Sequence, residues 1–303
     1  MWILIIIEEL FAVRELNLVY VYKFRPAHFT LRSILLSSDS STWQHNFDLT
    51  YTKIIGDDYM KKYKPELSFG DEVAENYDES AQRGDETAAV AFLEQLAHGG
   101  RALELAIGTG RIALPLSAKG VRVDGIDFSP AMIAKLRAKP GGTQLNVTLG
   151  NFADVAVPET YDLIYIVFNT LFNLLTQDEQ VRCFENVAAH LKERGVFVIE
   201  GGVPTEFCQL RKNQYVDLEN IEVNKVQLDI ARYDPITQLL EETHVTISEE
   251  GTQLFPIVTR YVWPSELDLM ARIAGLHLRE RWASWKREPI TATSSNCISV
   301  YAR

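Results

Sequence analysis

Gly108 and Gly110 close the run Ala102-Leu103-Glu104-Leu105-Ala106-Ile107-Gly108-Thr109-Gly110-Arg111, in which an apolar stretch leads straight into a glycine turn. Glycine reaches positive φ readily and lets backbone amides approach a ligand with no Cβ between them. With a helix beginning after it, such a turn suits an anionic or strongly polar partner. Asp127, seventeen positions past Gly110, ends the next apolar run. A carboxylate at the tip of a second strand can accept hydrogen bonds from both hydroxyls of a ribose. Glu104 is the other acid, and an apolar strand is a costly place for it unless it meets donors or a cation. Each feature also has a plainer reading: the glycines as punctuation, Asp127 as a helix cap, Glu104 as half of a buried structural pair. Ser129 already fills the cap, and the three together point to a nucleoside site. Gly108-Thr109-Gly110-Arg111-Ile112-Ala113 also fits the dinucleotide fingerprint. Glu104 opposes that reading, because it sets negative charge where a pyrophosphate would lie.

The elements that must position these residues follow from periodicity. Helical spacing predicts helices over 71–82, 85–97, 111–118, 129–138 and 178–193. Short apolar runs predict strands over 101–107, 121–127, 144–150, 161–168 and 195–200. Strands alternating with helices of this length imply βαβ units and a mainly parallel sheet. Past Glu200 the rhythm changes to three strand-like segments, 224–233, 238–248 and 252–262, separated by turn residues. A helix is expected from Ser265, with Asp268 at capping-box spacing and Gly275 at its end, before closing strands over 277–283 and 296–302. The expected division is an N-terminal extension of unknown role, 1–68, and a domain over 69–303. Within that domain an antiparallel insertion over 203–262 would cover the carboxyl edge of the sheet.

Composition narrows the partners. Thirty basic against 41 acidic residues leave a net charge of −11, which argues against a nucleic-acid binder that must track phosphates. A hydrophobic fraction of 47% suffices for a packed core, so global disorder is excluded. Cys183, Cys208 and Cys297 lie far apart, with no metal-ligand spacing and no disulfide framework. The opening MWILIIIEELF meets Glu8 after a short apolar run, too soon for a membrane span, and lacks the basic start of a signal peptide. The expectation is a soluble, cytoplasmic protein with a small-molecule partner, no nucleic acid, no membrane and no metal.

The glycine turn, with its acid before small-x-Gly-x-Gly, resembles the first motif of class I S-adenosylmethionine-dependent methyltransferases of small-molecule type. The resemblance covers roughly residues 70–303. Val123-Asp124-Gly125-Ile126-Asp127-Phe128-Ser129-Pro130-Ala131-Met132 looks like the family's ribose-binding strand and following helix. Gly150-Asn151-Phe152-Ala153-Asp154 looks like its adenine-edge loop, and Tyr161 to Thr170 like its fourth strand. What this implies is an α/β fold: a Rossmann-like, seven-stranded, doubly wound, mostly parallel sheet with an antiparallel β insertion near the C-terminus. It implies S-adenosylmethionine as cofactor and S-adenosylhomocysteine as product. Glu104, Ala106, Gly108 and Gly110 would form the cofactor turn, and Asp127 would hold the ribose. Phe128 and Met132 would flank the adenine, with Asn151 and Phe152 at its edge. Val167 and Phe168 would pass the sulfonium, Arg83 would reach the carboxylate, and Tyr77 would face the methyl group. Three departures stand out: Ala106 replaces a frequent glycine, Asn151 a frequent Asp, and Glu193-Arg194-Gly195 a Pro-Gly-Gly turn.

Methyl transfer is an in-line displacement that needs an aligned acceptor atom and sometimes a base. Tyr77 and Asn173 are the candidate catalytic residues; relatives with a similar insert carry His at the position of Asn173. Tyr215, Tyr233, His244, Arg260, Trp263, Trp282 and Trp285 are candidates to line an acceptor pocket. The absence of an Asn/Asp-Pro-Pro-aromatic motif counts against base and amide substrates. The activity expected is methyl transfer to an N or O atom of a small molecule. A nicotinamide-dependent oxidoreductase and an inactive cofactor-binding relic stay open as alternatives, as does assembly into a homodimer.

Overall fold

A computed structural model describes residues 18–25, 28–35, 74–75, 77–78, 84–154, 157–205 and 210–303. The chain divides into two compact units, Met1–Met60 and Lys61–Arg303. In the first, β1 (Leu18–Arg25) pairs antiparallel with β2 (His28–Leu35), Arg25 standing opposite His28. Residues 1–68 carry no predicted element, so this hairpin is a finding of the structure.

Among the described residues the second unit holds two sheets. Helix α1 (Glu86–Ala97) precedes β3 (Arg101–Leu105), α2 (Ala113–Ala118), β4 (Arg122–Asp127), α3 (Pro130–Ala138) and β5 (Asn146–Leu149). Then come β6 (Tyr161–Ile166), α4 (Gln177–His190) and β7 (Leu191–Gly202). Four strands follow as one separate antiparallel sheet: β8 (Gln214–Ile221), β9 (Lys225–Asp234), β10 (Leu239–Ser248) and β11 (Gly251–Arg260). The chain returns through α5 (Pro264–Ile273), β12 (His277–Trp282) and β13 (Asn296–Ala302). The larger sheet has seven strands in the order β12-β13-β7-β6-β3-β4-β5. β3 to β7 run parallel, and β13 and β12 add antiparallel at one edge. Strand order reverses between β6 and β4, on either side of β3, and a crevice opens at such a point beyond the carboxyl ends.

Burial on both faces explains the continuously apolar strands. Leu163 and Tyr165 of β6 pack into one core with Phe92 and Leu93 of α1. Their neighbours Ile164 and Ile166 pack into the other with Phe184 of α4 and Leu267 of α5. Helix α4 starts from a complete capping box, Thr176 and Glu179 exchanging side-chain and backbone hydrogen bonds. Among the described residues no helix is long and apolar enough to cross a membrane.

Several expectations need correction. The insertion has a fourth strand, Gln214–Ile221, beyond the three anticipated, bulged between Leu218 and Asn220. Lys192-Glu193-Arg194, read as the end of a helix and a turn, lies in β7 as a bulge opposite β6. Helix α5 starts at Pro264, with Trp263 as its cap and no side-chain cap bond. Asp268 instead accepts from Arg281 and from the Tyr301 hydroxyl, because a charged guanidinium is a stronger claimant than a backbone amide. Of the helix predicted over 71–82, residues 74–75 and 77–78 are helical, and the rest lies outside the described residues.

Candidate active site

The glycine turn leaves β3 in three left-handed residues, Ala106 (φ 57°), Gly108 (φ 54°) and Gly110 (φ 79°). Gly110 is packed tight: a Cβ there would meet Leu136 at 3.0 Å and Leu114 at 3.1 Å. Gly108 faces open space, with nothing within 4 Å of such a Cβ. One glycine thus serves packing and the other leaves room above the turn. Gly125 on β4 allows this closeness, since a side chain there would collide with Ile107.

Asp127 ends β4 and binds the turn from the side. Its carboxylate accepts the Gly108 N–H at 2.7 Å through Oδ2 and the Ser129 N–H at 2.8 Å through Oδ1. Burial raises its pKa despite these amide bonds. Ser129 also caps α3 by accepting the Met132 N–H, so cap and tip are separate residues, as the sequence suggested. Met132 is buried and Phe128 is exposed beside it.

Glu104 lies beneath the turn, 3% exposed, and the neighbouring-strand Tyr165 hydroxyl donates to its Oε2 at 3.0 Å. Desolvation pushes its carboxyl up to about 8, against the pull of that bond and of the Arg111 charge. A cation brought against it would favour its ionised form.

A clasp closes the turn from the N-terminal side. Thr109 Oγ1 donates to Asp78 Oδ1 at 2.5 Å, and Lys139 Nζ reaches Asp78 Oδ2 at 2.6 Å and the Thr109 carbonyl at 2.8 Å. Tyr77, beside Asp78, is half-buried, and burial raises its phenol pKa. Arg111 follows the turn, its Cζ 4.0 Å from the Phe168 ring centre and 5.7 Å from that of Tyr77. Sequence reasoning missed Arg111 as a site residue, and gave a basic role to Arg83, which lies outside the described residues.

Past β6, Val167 is buried, and Phe168 and Asn169 are both left-handed (φ 58° and 61°). Two side chains hold this uncommon turn. Buried Glu200 accepts the Phe168 N–H at 2.9 Å and the Asn296 amide at 3.0 Å, and Asn169 Oδ1 accepts the Gly202 N–H at 2.6 Å. A 3₁₀ turn, Thr170–Asn173, follows and leaves Asn173 half-buried at its end. Across the edge Asn151 Oδ1 accepts the Ala153 N–H at 2.9 Å, which shapes its loop and leaves one lone pair of that oxygen. Phe152 is buried in the core.

The four-stranded sheet contacts this edge through β11, which packs against the Thr170–Asn173 turn. Tyr233 and Leu240, paired across β9 and β10, pack on the core below and define the sheet's inner face. Tyr215, Asp229, Glu242 and His244 share that face by register. The Tyr215 hydroxyl donates to Glu242 at 2.6 Å, Asp229 pairs with His244 Nδ1, and His244 stacks on Phe255. Arg260 is instead saturated by Gln180, Gln238 and Glu266, and Trp285 is buried against Phe92. Both are structural, not pocket, residues. Trp282 packs beside that same core and Trp263 caps α5. Among the described residues no cluster of His, Cys, Asp and Glu could hold a metal.

The residues present fit S-adenosylmethionine: an open glycine cradle, an acid for its cations and a strand-tip carboxylate for its ribose. Residues 102–195 match the family described as "Methyltransferase domain". The CcbJ methyltransferase of Streptomyces caelestis is 38% identical, with a TM-score of 0.74 over 79% of this chain and 99% of that one. The cypemycin N-terminal methyltransferase of a Streptomyces species is 27% identical over 212 residues, 68% of this chain and 84% of that one. CalS10 of Micromonospora echinaspora, an amino pentose methyltransferase solved with its cofactor bound, is 21% identical and shares the fold. Its TM-score is 0.55, over 75% of this chain and 94% of that one. The identity and coverage of the first of these settle the family: this chain belongs to the S-adenosylmethionine-dependent methyltransferases.

Proposed function

We propose that the enzyme methylates the nitrogen of a small-molecule amine. The observation that carries this reading is the chemistry of the inner face of the four-stranded sheet. Two cross-strand rows span it, Tyr215–Ala231–Glu242–Ile257 and Asp217–Asp229–His244–Phe255. These rows offer carboxylates and one imidazole and hold no Lys or Arg, so their field favours a cation. An ammonium acceptor must lose a proton before its lone pair can attack. His244, with Asp229 behind Nδ1, is suited to take that proton on Nε2. Phe255, stacked on His244, adds an aromatic surface to this face. The cypemycin relative, named for an N-terminus, accords with an amine acceptor.

The cofactor, when bound, supplies a methyl group made electrophilic by its sulfonium and departs as S-adenosylhomocysteine. Glu104, Gly108 and Asp127 would hold it, with Val167 and Phe168 along its reactive side. Ala106 and Gly110 would shape the turn, and Phe128, Met132, Asn151 and Phe152 would surround the adenine. Tyr77 and Asn173 would border the acceptor, Tyr77 as a neutral donor. Confinement of the acceptor between turn and sheet supplies the alignment that displacement needs.

A transfer screen over amines, phenols and carboxylates, read by product mass, tests this. N-methylated products are expected, with His244→Gln slowing turnover most at pH below the acceptor's pKa. Products methylated only on oxygen would overturn the amine reading. Cofactor binding without turnover of any panel member would favour the inactive relic.

A further inference from the structure

Glu200, near the end of β7, is a carboxylate buried at the carboxyl edge of the sheet, 1% exposed. A buried acid is tolerated only where donors meet it. Glu200 has one from each neighbouring strand. The Phe168 N–H, just past β6, donates to Oε2 at 2.9 Å, and the Asn296 amide, at the start of β13, donates to Oε1 at 3.0 Å. The backbone held in this way is unusual. Phe168 and Asn169 stand one after the other in the left-handed region, at φ 58° and 61°. Neither is glycine, so the conformation is unfavourable for each and persists only where the surroundings impose it. A second hold comes from Asn169 Oδ1, which accepts the Gly202 N–H at 2.6 Å. Gly201 permits the close approach, since a Cβ there would stand 3.0 Å from the Phe172 ring.

The place of this turn gives the strain a use. On one side the Phe168 ring lies against Arg111, which follows the glycine turn. On the other, the 3₁₀ turn Thr170–Asn173 packs against β11 of the four-stranded sheet. The chain leaves for that sheet at the end of β7, where the Val203 N–H donates to the Ser295 carbonyl beside β13 at 2.9 Å. Glu200 thus fastens the end of β6 to the point where the smaller sheet departs. The groups proposed to grip the cofactor, Gly108 and Asp127, belong to the turn after β3 and the end of β4. Those proposed to grip the acceptor belong to β8–β11. A turn set between the two frameworks governs how the reactants face each other more than how tightly either is held. In-line displacement is sensitive to that, a misplacement of about 1 Å being able to cost about a hundredfold in rate.

We infer that Glu200 is a positioning residue for methyl transfer: by holding Phe168 and Asn169 left-handed it aligns donor with acceptor, and it acts on the transfer step rather than on binding. This rests on methyl transfer from the family's cofactor and holds for a nitrogen or an oxygen acceptor.

Three measurements on Glu200→Ala test it. They are calorimetry with S-adenosylhomocysteine, amide hydrogen exchange over 167–170, and kcat and KM with the compound that the wild-type protein methylates fastest in a panel of amines, phenols and carboxylates. The turn should exchange faster and kcat should fall about tenfold or more, with KM and the affinity for S-adenosylhomocysteine within about threefold of wild type. Glu200→Gln keeps an oxygen for the Phe168 N–H and should recover most of the rate. Asn169→Ala removes the second hold, should show the same split, and serves if Glu200→Ala does not fold. Unchanged exchange, unchanged kcat, a fall in kcat matched by weaker binding of both ligands, or a glutamine variant as slow as the alanine one would each overturn the inference. Cofactor binding with no transfer to any panel member would leave nothing to align and would overturn it as well. Failure of the wild-type protein to bind S-adenosylhomocysteine would instead overturn the cofactor site, and products methylated only on oxygen the amine reading alone.

Discussion

The Asp127 carboxylate accepts the Gly108 N–H at 2.7 Å, so the tip of one strand fixes the turn that leaves its neighbour. The same carboxylate takes the Ser129 N–H through its other oxygen. Strand β4 therefore sets the shape of the cradle before any ligand arrives. Gly108→Ala should keep the fold, because nothing lies within 4 Å of the added methyl, at about 1–2 kcal/mol for the left-handed φ. Its affinity for S-adenosylhomocysteine should fall at least about tenfold by calorimetry, since the methyl occupies the cradle. Unchanged affinity in the folded variant would place the cofactor elsewhere.

Glu104 makes stability depend on pH in a defined direction. Its carboxyl titrates at about 8 in the folded chain, above the ordinary value near 4.5, with desolvation the main cause. A folded-state pKa above the unfolded one means that ionisation opposes folding. The unliganded protein should lose stability from this group as pH rises from about 4.5 to 8, and no further above that. Glu104→Gln keeps an oxygen for the Tyr165 hydroxyl and removes the titration. Its melting temperature should fall less than that of the wild type between pH 5 and pH 8; parallel curves would show that Glu104 ionises freely.

Ala106 occupies a left-handed position at φ 57°. An L-residue there is strained by about 1–2 kcal/mol, of which glycine's greater unfolded freedom takes back a part. Ala106→Gly should raise the melting temperature by about 2 °C. A drop would mean that the alanine methyl packs well enough to outweigh the strain.

The clasp of Asp78, Lys139 and Thr109 should matter more for the ligand than for the fold. Burial works to raise the Asp78 pKa, but bonds from Lys139 and Thr109 outweigh it and hold the carboxyl below its usual range. Because the group is half-exposed, Asp78→Ala should lower stability by about 1 kcal/mol or less. Cofactor affinity should fall several-fold as the turn loosens. Stability loss with affinity intact would make the clasp purely structural.

The parallel sheet was legible in the sequence because each central strand is an apolar run bounded by glycine or a cap, as burial on both faces demands. Asp127 and Glu104 were legible as acids in largely apolar runs, and Gly108 and Gly110 as a glycine turn directly after one. Strand Gln214–Ile221 was not, since it is mostly exposed, rich in Asp, Glu and Asn, and bulged where alternation would have shown. Asp268 was misread because capping spacing is a local signal, whereas its partners Arg281 and Tyr301 come from β12 and β13. Arg111 was passed over because the rings it lies against, Phe168 and Tyr77, are distant in sequence.

Among the described residues the two sheets of the second unit share no ladder of hydrogen bonds. A residue exchanged on the inner face of β8–β11 therefore need not disturb the register that holds Asp127 against Gly108. On the proposed reading, donor and acceptor recognition are written in separate frameworks. New acceptor preferences could arise by drift in the smaller sheet while the cofactor turn stays under constant selection. Grafting that sheet between related enzymes should move specificity as a module.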